Sequence, residues 1–574
     1  MAVELYTLGM LHVTKALTMV ASTRARASRY FQRWKMASRP AAARGGRESG
    51  DINEGKEAAA KTQPRRQTGK DKPRAALPTA LSLPAHPPGA RPFFRIKRFL
   101  GSISLAVGLN LLVKPGWVLL ENLVQDRLGH STFGLIAACS ALAVVVATLA
   151  DLGLTQFTVQ RLATEPDFAT SQFPTLLPLR GLLTLASLLA LLGLGWVLGY
   201  RAEQLGLLAA VGTALLLTQY AQFLRAPVQA RQHFNTDAVL SVLEKLLAVG
   251  MVGGLLVGSQ LSLSTYIGAR LAAAAFTAVL FMGLLRRLFG RLPHRWPRRG
   301  PAGQLLRGSL PFAFIALLYG INERVDIVLL ERLSSAREAG YYAGAYRWLD
   351  AAMMYAWTVL PLFFARFAHA AARPRELRQL LWVGQRVVAV PLLLVVAFVL
   401  FRGEVLFWQF KHSAGFELDR MVLCMKVLFL NVLLHAFFAI YSTILTGTRH
   451  QRPVSWLVAL SIGVNITLNL LLLPRFGALA AAANTLLSGA LVAGGYVWLV
   501  QRRMGIAVPW HILARLALAF GLLCGGWYLA RTQLALAWWL ETGLMSFFFA
   551  GLLPLTGLVQ PRELLLLRQL ISKK

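Results

Sequence analysis

Long apolar segments recur along this chain from about residue 99 almost to its end. Each contains roughly 20 mostly apolar residues, the length that an α-helix needs to cross the ~30 Å hydrocarbon core of a bilayer. A helix also satisfies its own backbone hydrogen bonds in lipid. The pattern predicts about fourteen transmembrane helices, near residues 99–120, 133–152, 176–198, 205–226, 237–257, 263–285, 309–330, 343–364, 380–401, 421–446, 454–473, 477–500, 509–530 and 535–559. The sequence therefore predicts an all-α polytopic membrane protein.

One segment of the chain reappears about two hundred residues later. The stretch from Asp126 to Gly134 has its counterpart in the stretch from Glu331 to Gly340, at an offset of 205 (331 − 126) to 206 (340 − 134) residues. In both copies a short polar elbow and an aromatic-flanked glycine join one apolar segment to the next. The repeat predicts two pseudo-symmetric six-helix lobes followed by a C-terminal helix pair. Duplicated bundles of this kind are typical of transporters that bind cargo between their halves.

The repeat divides the chain into five predicted regions. They are a basic tail (1–98), an N-terminal lobe with helices one to six (99–285), a cytoplasmic Arg/Pro-rich linker (286–308), a C-terminal lobe with helices seven to twelve (309–503), and the last helix pair with a short cytoplasmic C-terminus (504–574). In the linker, Pro293, Pro297, Gly300 and Pro301 predict a break between the two lobes.

Composition supports a membrane protein independently of the repeat. Hydrophobic residues make up 56% of the chain and its mean hydropathy is +0.54, values that soluble globular proteins rarely reach. The formal net charge of +35 is concentrated in the tail and in alternate loops, so it does not indicate nucleic-acid binding. By the positive-inside rule the Arg-rich loops and both termini face the cytoplasm. Three cysteines, all within apolar segments, predict neither a disulfide framework nor a metal site.

The tail before residue 99 is rich in Ala, Arg, Lys, Pro and Gly, and it is expected to be disordered. Three interpretations stay open. In the first, the tail lies upstream of the natural start of translation. In the second, it is a polybasic arm that binds anionic lipid, and in the third it docks a partner. Basic residues near an anionic leaflet gain roughly 1 kcal/mol each, which makes the second interpretation physically reasonable.

Two groups of motifs resemble a known family. Arg127-Leu128-Gly129 with Gly134, followed by Asp151-Leu152-Gly153-Leu154, resembles the first helical hairpin of bacterial polysaccharide and O-antigen flippases. Arg324-Val325-Asp326, followed by Gly340-Tyr341-Tyr342 and Tyr346-Arg347, resembles the seventh and eighth helices of the same family. These flippases belong to the multidrug/oligosaccharidyl-lipid/polysaccharide exporter superfamily, together with lipid II flippases and MATE drug exporters.

The resemblance implies a pair of six-helix lobes around a central cavity in the bacterial cytoplasmic (inner) membrane. It implies a flippase that moves undecaprenyl-pyrophosphate-linked oligosaccharide from the inner to the outer leaflet, for surface polysaccharide such as the O-antigen of lipopolysaccharide. Fourteen helices also resemble the lipid II branch. The partners implied are the lipid-linked oligosaccharide, membrane lipids, a polysaccharide polymerase and the chain-length machinery.

Ionisable side chains within the predicted helices are the candidate site residues, because charge at that depth is costly unless it faces water or a partner. Cations around one cavity would suit a pyrophosphate. The candidates for substrate binding are Lys114, Arg225, Arg270, Arg324 and Lys426. Snorkelling explains Lys114 equally well, and helix-end anchoring explains Arg225.

Candidates for ion coupling or gating are Asp326, Glu323, Arg347, Asp350 and His435. A carboxylate in a low-dielectric cavity has a raised pKa, so Asp326 is the candidate proton switch and Glu323 a structural partner of Arg324. Arg347 and Asp350, three residues apart, favour a mutual ion pair over a site. His435 favours helix packing over proton transfer. The expected driving force is an H⁺ or Na⁺ gradient or the membrane potential, with no cofactor.

Two other functions fit the sequence less well. A membrane glycosyltransferase or polysaccharide polymerase needs acidic pairs or His on a sizeable extramembrane loop, and the sequence has no Asp-x-Asp pair, phosphate loop or nucleophile elbow there. A MATE-like exporter would need acidic residues in its cavity to hold cations.

The aromatic residues near the ends of the predicted helices are interpreted mainly as interface anchors. They are Trp117, Trp357, Trp408, Tyr341 and Tyr342.

Overall fold

The structure is a computed structural model, and the residues it describes belong to one compact unit. It describes residues 115–165, 172–231, 234–289, 299–371, 373–448, 450–534 and 536–559, together with residues 109, 113 and 168. The predicted basic tail and Lys114 lie outside the described residues. Within the described ranges the regular secondary structure is helical, without a strand, which confirms the all-α prediction.

The first repeat contains eight helical segments in the described part of the chain. They are α1 (115–128 in the described part), α2 (His130–Asp151), α3 (Leu154–Thr164), α4 (Phe173–Val197), α5 (Ala202–Leu224), α6 (Ala226–Ala230), α7 (Phe234–Val257) and α8 (Leu263–Phe289).

The second repeat and the C-terminal pair contain eight longer helices. They are α9 (Arg299–Leu333), α10 (Ala336–Ala370), α11 (Pro374–Arg402), α12 (Gly415–Gly447), α13 (Gln451–Phe476), α14 (Ala478–Met504), α15 (Trp510–Leu529) and α16 (Trp538–Leu555). A 3-10 turn, Gly403–Phe407, follows α11, and a π-helical turn, Ala530–Leu534, follows α15.

Twelve helical segments among the described residues are long and apolar enough to cross a membrane. They coincide with twelve of the fourteen predicted spans and establish a multi-pass membrane protein. The predicted span 99–120 runs largely outside the described residues, and the predicted span 309–330 lies inside α9, whose C-terminal half carries Arg324, Asp326 and Glu331. The total of fourteen stays a prediction.

Two boundaries differ from the prediction. Helix α1 continues to residue 128, beyond the predicted end at 120, because the next conformational break is Gly129, whose φ is +81°. Helix α9 begins at Arg299, so Gly300 and Pro301 lie in its first turn instead of breaking it. Proline is tolerated there because the first turn of a helix has no acceptor for its backbone N–H.

The two repeats show the same internal packing. In the first, α5 contacts α2, α4 and α8, and α7 packs on α8. In the second, α12 contacts α10, α11 and α14, and α13 packs on α14. The last two helices, α15 and α16, pack on each other and on α11. Helix α2 also contacts α9 and α10, so it forms much of the contact between the repeats.

Candidate functional site

A cavity of about 370 Å³ lies between the two repeats. Helices α1, α2, α5, α7 and α8 of the first repeat line it, together with α9 and α10 of the second. Its walls combine apolar side chains with an unusual number of charges. The cations are Lys245, Arg270, Arg324 and Arg347, and the carboxylates are Glu121, Glu244 and Asp350.

Arg347 joins the repeats at one edge of this cavity. Its guanidinium donates to Asn122 Oδ1 at 2.6 Å and to Gln125 Oε1, and it lies 3.7 Å from the Glu121 carboxylate. The Phe133 ring lies 4.4 Å from the same guanidinium. All four partners belong to α1 and α2. The predicted mutual pair of Arg347 with Asp350 is therefore wrong: each side chain pairs with another helix instead.

Asp350 is one turn further along α10 and pairs with Arg324 of α9. Arg324 Nη2 lies 3.5 Å from Asp350 Oδ2. The Arg324 guanidinium also lies 5.9 Å from the centre of the Tyr346 ring. This pair lies within the second repeat, in contrast to the Arg347 contacts.

Arg270 of α8 is held mainly by aromatic rings. Its guanidinium lies 5.8 Å from the centre of the Trp117 ring and 5.7 Å from that of Tyr266, whose hydroxyl is 3.4 Å away. Cation–π contacts of this kind keep a guanidinium in place without neutralising it. Trp117, which was predicted to be an interface anchor, therefore lines the cavity.

Three charged residues of the cavity were missed by sequence reasoning. Glu121 falls just outside the predicted span 99–120. Glu244 and Lys245 lie in the middle of the predicted span 237–257, where the rule that singled out Arg270 applies equally. Glu244 accepts a hydrogen bond from Thr218 of α5 at 2.6 Å.

Several predicted site residues do not line this cavity. Arg225 pairs with Asp237 at 2.8 Å. Lys426 is half-buried on α12. His435, also on α12, bonds through its Nδ1 to the Asn431 carbonyl oxygen at 2.9 Å within its own helix. Lys114 and the side chain of Glu323 lie outside what the structure describes.

Asp326 faces away from the cavity into the second repeat, where polar groups surround it. Its Oδ1 accepts from Asn469 Nδ2 at 2.7 Å, and its Oδ2 accepts from the Thr485 hydroxyl at 2.9 Å and from the Tyr342 hydroxyl at 3.3 Å. Asn469 is in turn bonded to Asn465 and Asn484. Tyr342 is fully buried, so its predicted role as an interface anchor is wrong.

The helix ends near the two elbows are packed together through paired glycines. A Cβ atom on Gly134 would overlap the backbone of Ala336, and one on Gly340 would overlap the backbone of His130. Gln125 Nε2 donates to the Gly340 carbonyl at 2.9 Å beside this crossing. The repeated glycines thus allow α2 and α10 to approach backbone to backbone. We call this the elbow end of the molecule.

Two polar contacts between the repeats flank the glycine crossing. Asp126 accepts from the His412 backbone N–H at 2.9 Å and contacts His412 Nδ1 at 2.7 Å. Its repeat equivalent, Glu331, accepts from the Tyr200 hydroxyl at 2.9 Å. Tyr200 precedes α5 and His412 precedes α12, which is the matching position in the other repeat. Each elbow acid therefore binds the equivalent loop of the opposite repeat, and we call these two contacts the clasps.

Residues 119–363 match the family model described as polysaccharide biosynthesis protein. This range includes both elbows and all or part of each helix that lines the cavity. Over these residues the chain is similar to the polysaccharide biosynthesis protein family. The resemblance seen in the motifs is thereby confirmed for the family, and the assignment to O-antigen flippases in particular stays a prediction. Among curated proteins none matches the chain in sequence.

The fold of this chain is similar to those of three solved transporters. The lipid II flippase MurJ, in an inward closed conformation, aligns at a TM-score of 0.63 and 12% identity, over 78% of this chain and 98% of the other. An inward-facing MATE multidrug transporter of the MOP superfamily aligns at a TM-score of 0.55 and 13% identity, over 70% of this chain and 98% of the other. A MOP superfamily transporter from Pyrococcus furiosus aligns at a TM-score of 0.52 and 13% identity, over 71% of this chain and 95% of the other. These proteins share the fold of this chain.

The solved proteins that share this fold are described as a flippase and as transporters. The shared fold agrees with the expectation of a transporter, and it gives no support to a glycosyltransferase or polymerase. Within the described ranges no three His, Cys, Asp or Glu side chains come together as a metal site.

Proposed function

We propose that this protein is a flippase that moves undecaprenyl-pyrophosphate-linked oligosaccharide from the inner to the outer leaflet of a bacterial cytoplasmic membrane. The observation that carries the proposal is the clustering of Lys245, Arg270, Arg324 and Arg347 around one cavity between the repeats. Guanidinium and ammonium groups bind phosphate oxygens through charge-assisted hydrogen bonds. A pyrophosphate is the group on such a lipid that most needs these partners inside a membrane.

The proposed orientation follows from the charges at the helix ends. Arg286, Arg287, Arg502 and Arg503 lie at the ends of α8 and α14 away from the elbows. By the positive-inside rule that end faces the cytoplasm and the elbow end faces the opposite side. With the elbow end closed by the glycine crossing and the clasps, the chain is in a state suited to loading from the inner leaflet.

The Asp326 cluster is the proposed coupling site. A carboxylate with hydroxyl and amide neighbours, deep in a helical bundle, can bind a proton or a small cation and exchange it as the helices move. Helices α9, α10, α13 and α14 each contribute a side chain to the cluster. The proposed energy source is an H⁺ or Na⁺ gradient or the membrane potential, and the proposed partners are the polymerase and chain-length machinery that use the flipped lipid.

A second candidate cargo is lipid II, because its headgroup is also linked through a pyrophosphate and because the fold is shared with MurJ. A MATE-like exporter of cationic drugs fits less well, since four cations around the cavity would repel such cargo.

Export of surface polysaccharide in a strain that lacks the gene tests the proposal. Wild-type protein is expected to restore export and to clear accumulated lipid-linked intermediates. Arg270→Ala and Arg324→Ala are expected to reach the membrane at normal abundance and to restore less than about a tenth of the export, since each removes a charge-assisted phosphate contact.

Arg373→Ala is the control, because Arg373 is an exposed cation paired with Glu376 outside the cavity. It is expected to export like wild type. Normal export by both cavity variants would refute the proposed site. Normal export by the deletion strain, with lysis and loss of cell-wall synthesis instead, would favour lipid II as cargo.

A further inference from the structure

The carboxylates of the cavity are placed beside its cations. Glu121 lies 3.7 Å from Arg347, and Asp350 lies 3.5 Å from Arg324. Glu121 also interacts electrostatically with Arg270, and Asp350 with Lys245. Every cation of the cavity therefore has a carboxylate within electrostatic range. An anion site built only for tight binding would not need these acids, because each one weakens the attraction for a phosphate.

A transporter that exports an anionic lipid must also return to its loading state with an empty cavity. A cavity lined by four cations and no counter-ion is costly to close away from water, because desolvating unpaired charge is unfavourable. Carboxylates that pair with the cations in the empty state remove much of this cost. The same carboxylates compete with the phosphates of the cargo when the cavity is loaded.

We propose that Glu121 and Asp350 are internal counter-ions, which release Arg347 and Arg324 to the pyrophosphate on loading and pair with them again on discharge. This inference rests on the proposed function and assigns to the two acids a role in cargo release. No bond is made or broken: two ion pairs within the protein are exchanged for two ion pairs with the cargo. The two acids then set the balance between affinity and turnover.

The proposal predicts opposite effects on binding and on transport. Glu121→Gln and Asp350→Asn keep the size and much of the hydrogen bonding of each side chain while they remove its charge. A pyrophosphate should bind each variant about fivefold more tightly, the size expected for the loss of one partly screened competing ion pair. Transport should become slower, because release and return of the empty cavity lose their counter-ion. Removal of a cavity cation would instead weaken pyrophosphate binding and slow transport.

The binding experiment uses full-length protein in detergent and farnesyl diphosphate as the probe, with farnesol as the uncharged comparison. Dissociation constants are measured for wild type, Glu121→Gln, Asp350→Asn and the control Glu376→Gln. Glu376 is an exposed carboxylate paired with Arg373 outside the cavity. The control should bind like wild type. Thermal unfolding of each variant shows whether it is folded, and the export assay gives the transport rate.

Tighter binding of farnesyl diphosphate together with slower export by both variants supports the proposal. Weaker binding by both folded variants overturns it and makes the acids direct contacts of the cargo. Unchanged binding by both also overturns it. If wild type binds farnesyl diphosphate no better than farnesol, the proposed function fails, and this inference fails with it. If wild type prefers the diphosphate but the variants do not bind it more tightly, the inference alone fails.

Discussion

Arg347 shows how a buried guanidinium is tolerated where the two repeats meet. A side chain that is 8% exposed can keep its charge only if its donors are satisfied. Asn122, Gln125 and Glu121 supply acceptors, and the Phe133 ring covers one face. The i,i+3 spacing of Arg347 and Asp350 correctly places both on one helix face. It does not reveal that other helices supply nearer partners for each.

Gly340 is a residue on which a single added methyl group should have a large effect. A Cβ there would meet the backbone of His130, which cannot move as a side-chain tip can. We expect Gly340→Ala to destabilise the protein by about 1–3 kcal/mol, the usual range for overpacking. The melting temperature of the purified variant and its export activity measure the effect.

Gly250→Ala in α7 is the matched control, because nothing lies within 4 Å of the Cβ it would add. It is expected to melt and export like wild type. Should Gly340→Ala behave like this control, close approach of α2 and α10 would not be needed for function.

The clasps act between elements, and they predict that the elbow end must open during transport. Introduction of Cys at Asp126 and His412, in a chain without the native cysteines, places two thiols at a contact where nitrogen and oxygen atoms are 2.7 Å apart. A short, reducible thiol crosslinker should tie the repeats together and abolish export. Export should return after reduction.

The control for this crosslink is a pair of cysteines at Arg201 and Gln204, which lie at the same end but within one repeat. A crosslink there should form and leave export intact. Export that continues with the 126–412 link in place would show that the elbow end does not open.

The C-terminal pair of helices is fastened to the second repeat by an ion pair. Arg402, at the end of α11, donates from Nε to Glu541 of α16 at 2.8 Å, and Glu541 is fully buried. Removal of the Glu541 charge leaves Arg402 with only the more distant carboxylate of Glu404, at 4.0 Å. We expect Glu541→Gln to lose about 3 kcal/mol of stability, within the range for a broken buried pair. Thermal unfolding of the purified variant measures this loss.

The double substitution Arg402→Leu/Glu541→Leu tests the reason. Replacement of both charges by apolar groups removes the uncompensated charge, and such replacements are often neutral. The double variant should therefore melt closer to wild type than Glu541→Gln does. An equal or greater loss would mean that the charges themselves, and not their pairing, position α16.

As a whole, the molecule is two copies of one packing scheme that share a charged interior. The equivalence of Asp126 and Glu331 extends from their positions in the sequence to their roles, because each binds the equivalent loop of the other repeat. The symmetry ends at the interior. Cations come from α7 and α8 in the first repeat and from α9 and α10 in the second, and the Asp326 cluster belongs to the second repeat alone.

The amino-acid sequence by itself determined the all-α membrane class, most of the helices, the duplication and the resemblance to a known family. These follow from local properties: apolar length, periodic charge in the loops and a repeated elbow. It also identified Arg270 and Arg324, because charge within an apolar segment is conspicuous in any arrangement of the helices.

Only the tertiary structure decided which charges meet. Asp326 and Arg324 are two residues apart on α9, yet one enters a polar cluster in the second repeat and the other lines the cavity. Glu121 lines the cavity because α1 continues as far as the break at Gly129. Arg225 does not line it, because it pairs with Asp237. Which face of a helix points into the cavity depends on the helices that pack against it. The electrostatics of the site therefore arise from packing between repeats that are far apart in the chain.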